Sequence, residues 1–258
     1  ALAYAKDRKQ FGKAIIEFPA VYDMLATIKA KLDAGRALLY QTSRYVDIYK
    51  ALDDIARERK LTPEERQEQK RYAKLADSFT PLAKGMNSEY ANQNAYDCIQ
   101  VHGGSGFMME YACQRIYRDA RITSIYEGTT QLQTVAAIRY VTNGAYAATL
   151  HEYELIPCAP EFEGYLNRIK DMTRKLEACT NAVKEAQNQE LLDFVARRLY
   201  EMAAVCVMSH LLLQDATKAP ELFAQSLNVY VNYAESEVEK HFNFIRKFNA
   251  EELASYRK

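Results

Sequence analysis

The hydrophobic positions in the first part of the chain recur with the period of an α-helix. From Pro19 onward, apolar and small residues step by three and four over about four heptads. The stripe consists of Val21, Leu25, Ile28, Leu32, Gly35, Leu39, Thr42, Val46 and Tyr49. This spacing predicts a long amphipathic helix from Pro19 to about Lys60, in which Gly35 lets another helix approach closely.

A second long helix is predicted to begin within "LTPEERQ". Thr62 can act as the N-cap, Pro63 suits the first helical position and Glu65 completes a capping box. The helix should continue to about Val101, where "HGGSG" ends it. Pro81 lies inside this pattern and is expected to kink the helix, since proline cannot donate a backbone hydrogen bond.

The remainder of the chain shows shorter helical patterns. Residues 110–121 form an amphipathic pattern, and another helix opens near Thr129–Thr130. The segment "HEYELIPCAPEFEG" (151–164) has two prolines and no clear period, which is typical of a linker between domains. Further helical patterns are at about 162–188, 190–216 and 220–248. Because strand-like alternation is almost absent, the sequence predicts an all-α fold.

Charge and cysteine content narrow the class of protein. Lys and Arg number 34 and Asp and Glu also number 34, so no net charge favours a nucleic acid or an anionic membrane as a partner. No 18-residue apolar run predicts a membrane span. The five cysteines are scattered without a CxxC pair and the four histidines are far apart. This pattern argues against a disulfide framework or a metal site, and it is typical of a reducing compartment such as the cytoplasm.

The segment "ITSIYEGTTQLQ" (122–133) contains a single carboxylate, Glu127, at a break between two predicted helices. Two interpretations remain open from the residues alone. Glu127 can cap the following helix, whose N-terminus favours negative charge. Alternatively, with no cationic neighbour in sequence, it can sit in an apolar cavity that disfavours its charged form, and act there as a general base.

Two other segments contain candidate binding residues. "HGGSGF" (102–107) is rich in glycine, but it lacks the G-x-G-x-x-G spacing, a preceding strand and the Lys-Ser/Thr ending of a P-loop. It is interpreted as a structural turn or as a place where a ligand approaches the backbone. "DRKQFGK" (7–13) by itself indicates a helix that stops at Gly12, with cations near its negative end.

Taken together and in this order, "RKQFGK", "QVHGGSGF" and "RDARITSIYEGTTQLQ" resemble the C-terminal helical domain of flavin-dependent acyl-CoA dehydrogenases. The resemblance covers about residues 1–146. It implies an up-and-down, four-helix-bundle-like domain over residues 1–149, followed by a second helical bundle domain over 150–258, as in larger bacterial relatives. Since such enzymes also have an N-terminal helical and a middle β domain, the chain is expected to be part of a longer protein.

The resemblance also implies roles for individual residues. Glu127 matches the base that removes the α-proton of an acyl-CoA thioester, and its neighbours Tyr126 and Gly128, with Arg139 further along, fall on the substrate side. The residues that match FAD contacts are Arg8, Gln10, Phe11, Gln100, Gly103, Gly104, Thr129 and Gln131. Implied partners are an acyl-CoA substrate, an electron-transfer flavoprotein as acceptor and further copies of the chain in a homodimer or homotetramer.

Two alternatives of the same fold remain, an acyl-CoA oxidase and a flavoprotein that has lost dehydrogenation. The chain departs from short- and medium-chain family members in being longer between Arg8 and Gln100 and in the whole of 150–258. The latter segment shows a stripe of Leu, Val and Met without an acid–base pair. It is therefore predicted to be a structural or oligomerisation module, and residues 1–258 alone are expected to be inactive and to bind FAD weakly.

Overall fold

The computed structural model describes residues 1–257, which form ten α-helices and one two-stranded hairpin. The helices are α1 (Leu2–Asp7), α2 (Pro19–Glu58), α3 (Pro63–His102), α4 (Gly104–Phe107), α5 (Ala112–Thr123), α6 (Thr130–Thr142), α7 (Ala145–Glu154), α8 (Glu163–Glu185), α9 (Gln189–Lys218) and α10 (Pro220–Lys247). The strands are β1 (Lys9–Gln10) and β2 (Lys13–Ala14), and short 3-10 turns lie at Ile15–Glu17, Pro160–Phe162 and Ala250–Tyr256. The prediction of an all-α fold is confirmed.

The start of α3 follows from the capping signals in the sequence. The Thr62 hydroxyl accepts a hydrogen bond from the Glu65 backbone N–H at 3.2 Å, and the Glu65 carboxylate accepts one from the Thr62 N–H at 2.9 Å. Arg59 also donates to Glu65, with 2.8 Å between Nη1 and Oε2. The predicted capping box is confirmed, and it closes the short connection from α2 to α3.

The helix α3 continues through Pro81 to His102, and buried tyrosines contact it around the proline. Tyr146 of α7 donates to the Ser78 carbonyl at 2.5 Å, and Tyr200 of α9 donates to the Pro81 carbonyl at 3.0 Å. The ring of Tyr200 reaches α3 beside Gly85, where a Cβ would lie 2.1 Å from the Tyr200 hydroxyl oxygen. Glycine at position 85 therefore makes the close packing of α9 on α3 possible.

At the centre of the molecule lies α9, in which every residue from 202 to 213 is buried. It contacts α2, α3, α6, α7, α8 and α10. A helix that is apolar on all sides is stable only when other elements surround it completely. The apolar residues of this segment form the core of the bundle.

One hydrophobic core extends across both predicted domains. Buried tyrosine pairs join them by hydroxyl–hydroxyl hydrogen bonds, Tyr45 with Tyr153 at 2.8 Å and Tyr90 with Tyr230 at 2.9 Å. The boundary between residues 149 and 150 stays a prediction. The shared core indicates that the later helices fold against the earlier ones.

The predicted linker at 151–164 is wrong at both of its ends. The helix α7 runs to Glu154, and α8 already begins at Glu163 after a 3-10 turn. The cause is tertiary packing, because Tyr153 is 8% exposed and anchors the end of α7 in the core. Only the short stretch 155–159 connects the two helical segments.

The contact at Gly85 predicts a clear effect on stability. In Gly85→Ala, the new methyl group would meet the buried Tyr200 hydroxyl, which its hydrogen bond to Pro81 prevents from moving. We expect the free energy of unfolding to fall by about 1–3 kcal/mol in urea titration. Gly164→Ala is the matched control, because its Cβ would meet nothing within 4 Å, and it should not destabilise the protein. Equal effects of the two substitutions would contradict this packing.

A buried histidine predicts loss of stability in acid. His210 of α9 is 1% exposed, and burial, together with the positive charge of Lys170 and His151, lowers its pKa to about 4. As the pH falls from 6.5 towards 4, the unfolded chain binds a proton that the folded chain excludes. We therefore expect up to about 3 kcal/mol of the unfolding free energy to be lost over this interval.

Urea titrations between pH 7 and 4 test this, with His210→Leu expected to show a shallower loss. His151→Leu is the control, because Glu177 and Glu154 raise the pKa of this exposed histidine and its effect has the opposite sign. A loss of the same size in His210→Leu and in the parent protein would show that other groups cause it.

Candidate functional site

Glu127 lies in the loop 124–129 between α5 and α6, in an unusual backbone conformation. Its φ is +51°, and Gly128 follows with φ of +92°. A non-glycine residue in the left-handed region is disfavoured by roughly 1–3 kcal/mol unless its surroundings hold it there. The Glu127 side chain is exposed, and its carboxylate has no ion-pair partner among residues 1–257. The loop thus presents a carboxylate that the fold does not use for its own stability.

The structure tests one of the two interpretations of Glu127, its role as a helix cap. The N-cap of α6 is Thr129, whose hydroxyl accepts a hydrogen bond from the Leu132 N–H at 3.3 Å. Glu127 lies outside the helix and makes no capping hydrogen bond. The capping interpretation is wrong, because a threonine two residues later performs that role.

Two contacts with α3 hold the loop. The Lys84 ammonium donates to the Gly128 carbonyl at 2.6 Å, and the Thr130 hydroxyl donates to the Glu89 carboxylate at 2.6 Å. Gln133 of α6 adds a longer hydrogen bond to the Gly128 carbonyl at 3.4 Å. These contacts fix the backbone on the C-terminal side of Glu127 and leave its side chain free.

Glu127 lines a cleft of about 670 Å³ between α2, α3 and the loop. Three cationic residues, Lys31, Arg36 and Lys84, also line it. Most of the remaining wall is apolar or small, and includes Leu32, Leu39, Ala83 and Ala91. The expectation of an apolar cavity is therefore met only in part, since Glu127 is exposed at this cleft and Lys84 brings a cation close to its loop.

The cleft also contains a buried lysine. Lys31 is 7% exposed, and its ammonium donates to Gln93 Oε1 at 2.7 Å and lies 4.4 Å from the centre of the Tyr233 ring. Burial lowers the pKa of Lys31, and the carboxylates of Asp97 and Glu237 partly oppose this. This lysine is held by its own polar partners.

The segment around Arg8, Gln10 and Phe11 is a β-hairpin, and the predicted helix stop at Gly12 is wrong. The helix α1 ends at Asp7, and β1 pairs with β2 across a two-residue turn. Phe11 and Gly12 both have positive φ, +48° and +83°, as such a turn requires. The hairpin exposes 93% of Phe11 at its tip. Arg8, Gln10 and Phe11 are therefore available to a ligand or to another chain.

The glycine-rich turn lies next to the hairpin, at the end of α3. Gly103 is the C-cap of α3, and the space where Cβ atoms of Gly103 and Gly104 would lie is open. The ring of Tyr4, from α1, stacks on His102 with 4.3 Å between ring centres. Gln100 is exposed on the last turn of α3. These residues and the hairpin form one exposed region.

The residues that resemble FAD contacts thus fall into two separate regions. One contains the hairpin with Arg8 and the turn at Gly103, and the other contains Thr129 and Gln131 beside Glu127. Lys84, which contacts the second region, and Gly103 are separated by about 30 Å along α3 at the usual rise per residue. The two regions therefore contact α3 at different points along its length.

Arg139, the weaker substrate candidate, is not part of the cleft. It lies on α6 beyond the loop, where Nη2 donates to the Tyr140 hydroxyl at 2.7 Å and the guanidinium stacks 4.6 Å from that ring. Its assignment to the substrate stays a prediction.

The side chains in both regions fit a flavin dinucleotide in their chemistry. The exposed guanidinium of Arg8, the amide of Gln131 and the N-terminus of α6 can all interact favourably with a pyrophosphate. Open space at Gly103 and Gly104 allows close approach of a ligand to the backbone. Within residues 1–257, no group of three or more His, Cys, Asp or Glu side chains is placed to hold a metal ion.

Sequence reasoning did not find Lys84 and Glu89. They lie 44 and 41 residues from their loop partners, within a long helix whose pattern gives no local signal for a site. Only the packing of α3 beneath the loop identifies them. Among the helices of residues 1–257, none combines the length and the apolar character that a membrane span requires.

Comparison with known proteins assigns the chain to one family. Residues 1–141 match the family described as "Acyl-CoA dehydrogenase, C-terminal domain", and residues 142–253 match "Acyl-CoA dehydrogenase C terminal". The chain therefore belongs to the acyl-CoA dehydrogenase family.

Individual relatives agree with this assignment. The chain is 36% identical over 133 residues to the caffeyl-CoA reductase-Etf complex subunit CarC of Acetobacterium woodii, covering 52% of this chain and 29% of CarC. It is 34% identical over 139 residues to the probable acyl-CoA dehydrogenase fadE25 of Mycobacterium bovis, covering 54% of this chain and 30% of the relative. The chain thus spans about a third of the length of these relatives.

A solved structure supports the fold across the whole chain. A Bacillus anthracis acyl-CoA dehydrogenase complexed with FAD superposes with a TM-score of 0.72 at 22% identity, covering 98% of this chain and 47% of the other. At this identity the likeness shows the fold alone. It extends over α7 to α10 as well as over the earlier helices.

The capping assignment can be tested by stability alone. Thr129→Ala removes the hydroxyl that caps α6, and we expect the free energy of unfolding to fall by about 1 kcal/mol. Thr129→Ser keeps a capping hydroxyl and should leave the free energy of unfolding unchanged. Glu127→Gln should change the free energy of unfolding by less than about 0.5 kcal/mol, because the carboxylate has no structural partner within residues 1–257. A larger loss in Glu127→Gln than in Thr129→Ala would restore the capping interpretation.

Proposed function

We propose that the chain is the part of a flavoenzyme that supplies the catalytic base for α,β-dehydrogenation of an acyl-CoA thioester. The observation that carries the proposal is the Glu127 carboxylate, which lies unpaired at a largely apolar cleft on a loop anchored to α3. Membership of the acyl-CoA dehydrogenase family suggests an acyl-CoA thioester as the substrate of this carboxylate. The acyl group could come from a fatty acid or a related acid.

In the proposed reaction, Glu127 takes the α-proton of the thioester as the β-hydrogen leaves with two electrons. FAD, when bound, would supply the acceptor for that hydride, and the product would be a trans-2-enoyl-CoA. An α-C–H group is a weak acid, so the base must be held in position and screened from water. Tyr126 and Gly128 lie beside the base and are proposed to contact the substrate. The apolar wall of the cleft supports that screening.

The two separate regions of proposed FAD contacts support a homo-oligomer. Thr129 and Gln131 would contact the flavin used by their own chain's Glu127. Arg8, Phe11 and Gly103, about 30 Å away along α3, would contact the flavin of another copy. A homodimer or homotetramer satisfies this arrangement. Residues 150–258 are proposed to act structurally, by enclosing the common core.

A second candidate is the reverse reaction, reduction of an enoyl-CoA. It is favoured by the name of CarC, a subunit of a caffeyl-CoA reductase-Etf complex. By microscopic reversibility, the protonated Glu127 would then return a proton to the α-carbon. An electron-transfer flavoprotein is the proposed redox partner in either direction, and the cytoplasm is the proposed location, consistent with five free cysteines.

The test is the substitution Glu127→Gln in the flavin-loaded enzyme. We expect kcat to fall by about 10²–10⁴-fold, the usual contribution of a general base, with flavin content unchanged. Turnover is measured with acyl-CoA thioesters of several lengths and an artificial electron acceptor, and in reverse with the enoyl-CoA products.

Glu110→Gln serves as the control, since it removes another exposed carboxylate that lies outside the cleft. Its kcat should equal that of the parent enzyme. Retained turnover in Glu127→Gln would show that the base is another residue.

A further inference from the structure

The loop that carries Glu127 depends on a side chain from a distant part of the sequence. Lys84 of α3 donates to the Gly128 carbonyl at 2.6 Å, and its ammonium lies 5.7 Å from the centre of the Tyr126 ring. It thus contacts the residues on both sides of Glu127. Lys84 also lines the cleft, so the contact lies at the functional surface.

This contact opposes the strain in the turn. Glu127 and Gly128 both have positive φ, and a glutamate adopts this conformation only where other contacts enforce it. A charged donor on the Gly128 carbonyl fixes the peptide plane between Gly128 and Thr129, the second plane after Glu127. Steric crowding does not enforce this conformation, because Glu127 is exposed.

A second anchor limits the movable part of the loop. The Thr130 hydroxyl donates to Glu89, and the guanidinium of Arg197 on α9 lies 3.6 Å from the same carboxylate oxygen. The Thr130 N–H donates to the Ser124 carbonyl at 3.1 Å and closes the loop on itself. With both ends held in this way, Lys84 is the one side chain of α3 that holds the centre of the loop within the described residues.

We propose that Lys84 is a positioning residue for the carboxylate of Glu127. By tying the Gly128 carbonyl to α3, it keeps the base at the margin of the cleft, where a bound thioester can present its α-carbon. The proposal rests on the proposed function of Glu127. Reactions that depend on a near-attack geometry lose about 10²-fold when the reacting groups shift by about 1 Å.

The test compares Lys84→Met, Lys84→Arg and Lys74→Met in the flavin-loaded enzyme. Lys84→Met keeps the length of the side chain but removes the donor, and kcat should fall by about 10–100-fold while KM changes less than about threefold. Lys84→Arg restores a donor and should recover most of the loss. Lys74 lies on the exposed surface of the same helix and should be neutral on substitution.

A second readout does not require activity. In the 258-residue chain, amide hydrogen exchange of residues 124–130 should become several-fold faster in Lys84→Met, with exchange in α9 unchanged. Normal kcat in Lys84→Met, or unchanged exchange in the loop, would overturn the proposal, as would equal losses in Lys74→Met. If Glu127→Gln retained turnover, the proposed function would fail, and the exchange data would still decide whether Lys84 holds the turn.

Discussion

The rest of the structure depends on the rigid placement of α3 between α2 and α9. This 40-residue helix contacts the Glu127 loop in its middle, through Lys84 and Glu89, and ends at the exposed turn of Gly103. Tyr200 of α9 packs against it at Gly85, next to the residues that hold the loop. Because a packed helix transmits position without bending freely, the core of the molecule determines where the carboxylate lies.

This dependence gives the later helices a role in the site although they contribute no residue to the cleft. The helix α9 is buried on all sides, and its neighbours α8 and α10 cover the faces that α2, α3 and α6 leave open. Removing the later helices would expose the core of α3 around Pro81, which Tyr200 of α9 covers. The matches to two family models meet at residues 141 and 142, whereas the hydrophobic core continues across that point.

The parts of the fold set by local physics could be predicted from sequence. The long stripe of α2 and the capping box at Thr62 and Glu65 specify their helices through neighbours a few residues away. The turn at Phe11 and Gly12 could not, because both residues need positive φ and phenylalanine gives no such signal. Lys84 was missed for a different reason, since its contact to the loop exists only once α3 is packed beneath it.

The exposure of Glu127 sets a final requirement on the proposed chemistry. Removal of an α-proton needs a base shielded from water, yet within residues 1–257 the carboxylate faces solvent at an open cleft. Whatever covers the cleft during the reaction, substrate and flavin included, must supply the missing shield. Since Lys84 and Glu89 already hold the backbone of the loop, covering it need change only the solvation of the carboxylate and not its position. In the proposed reaction, the carboxylate would thus be in place before the substrate arrives, and exclusion of water would be a consequence of binding.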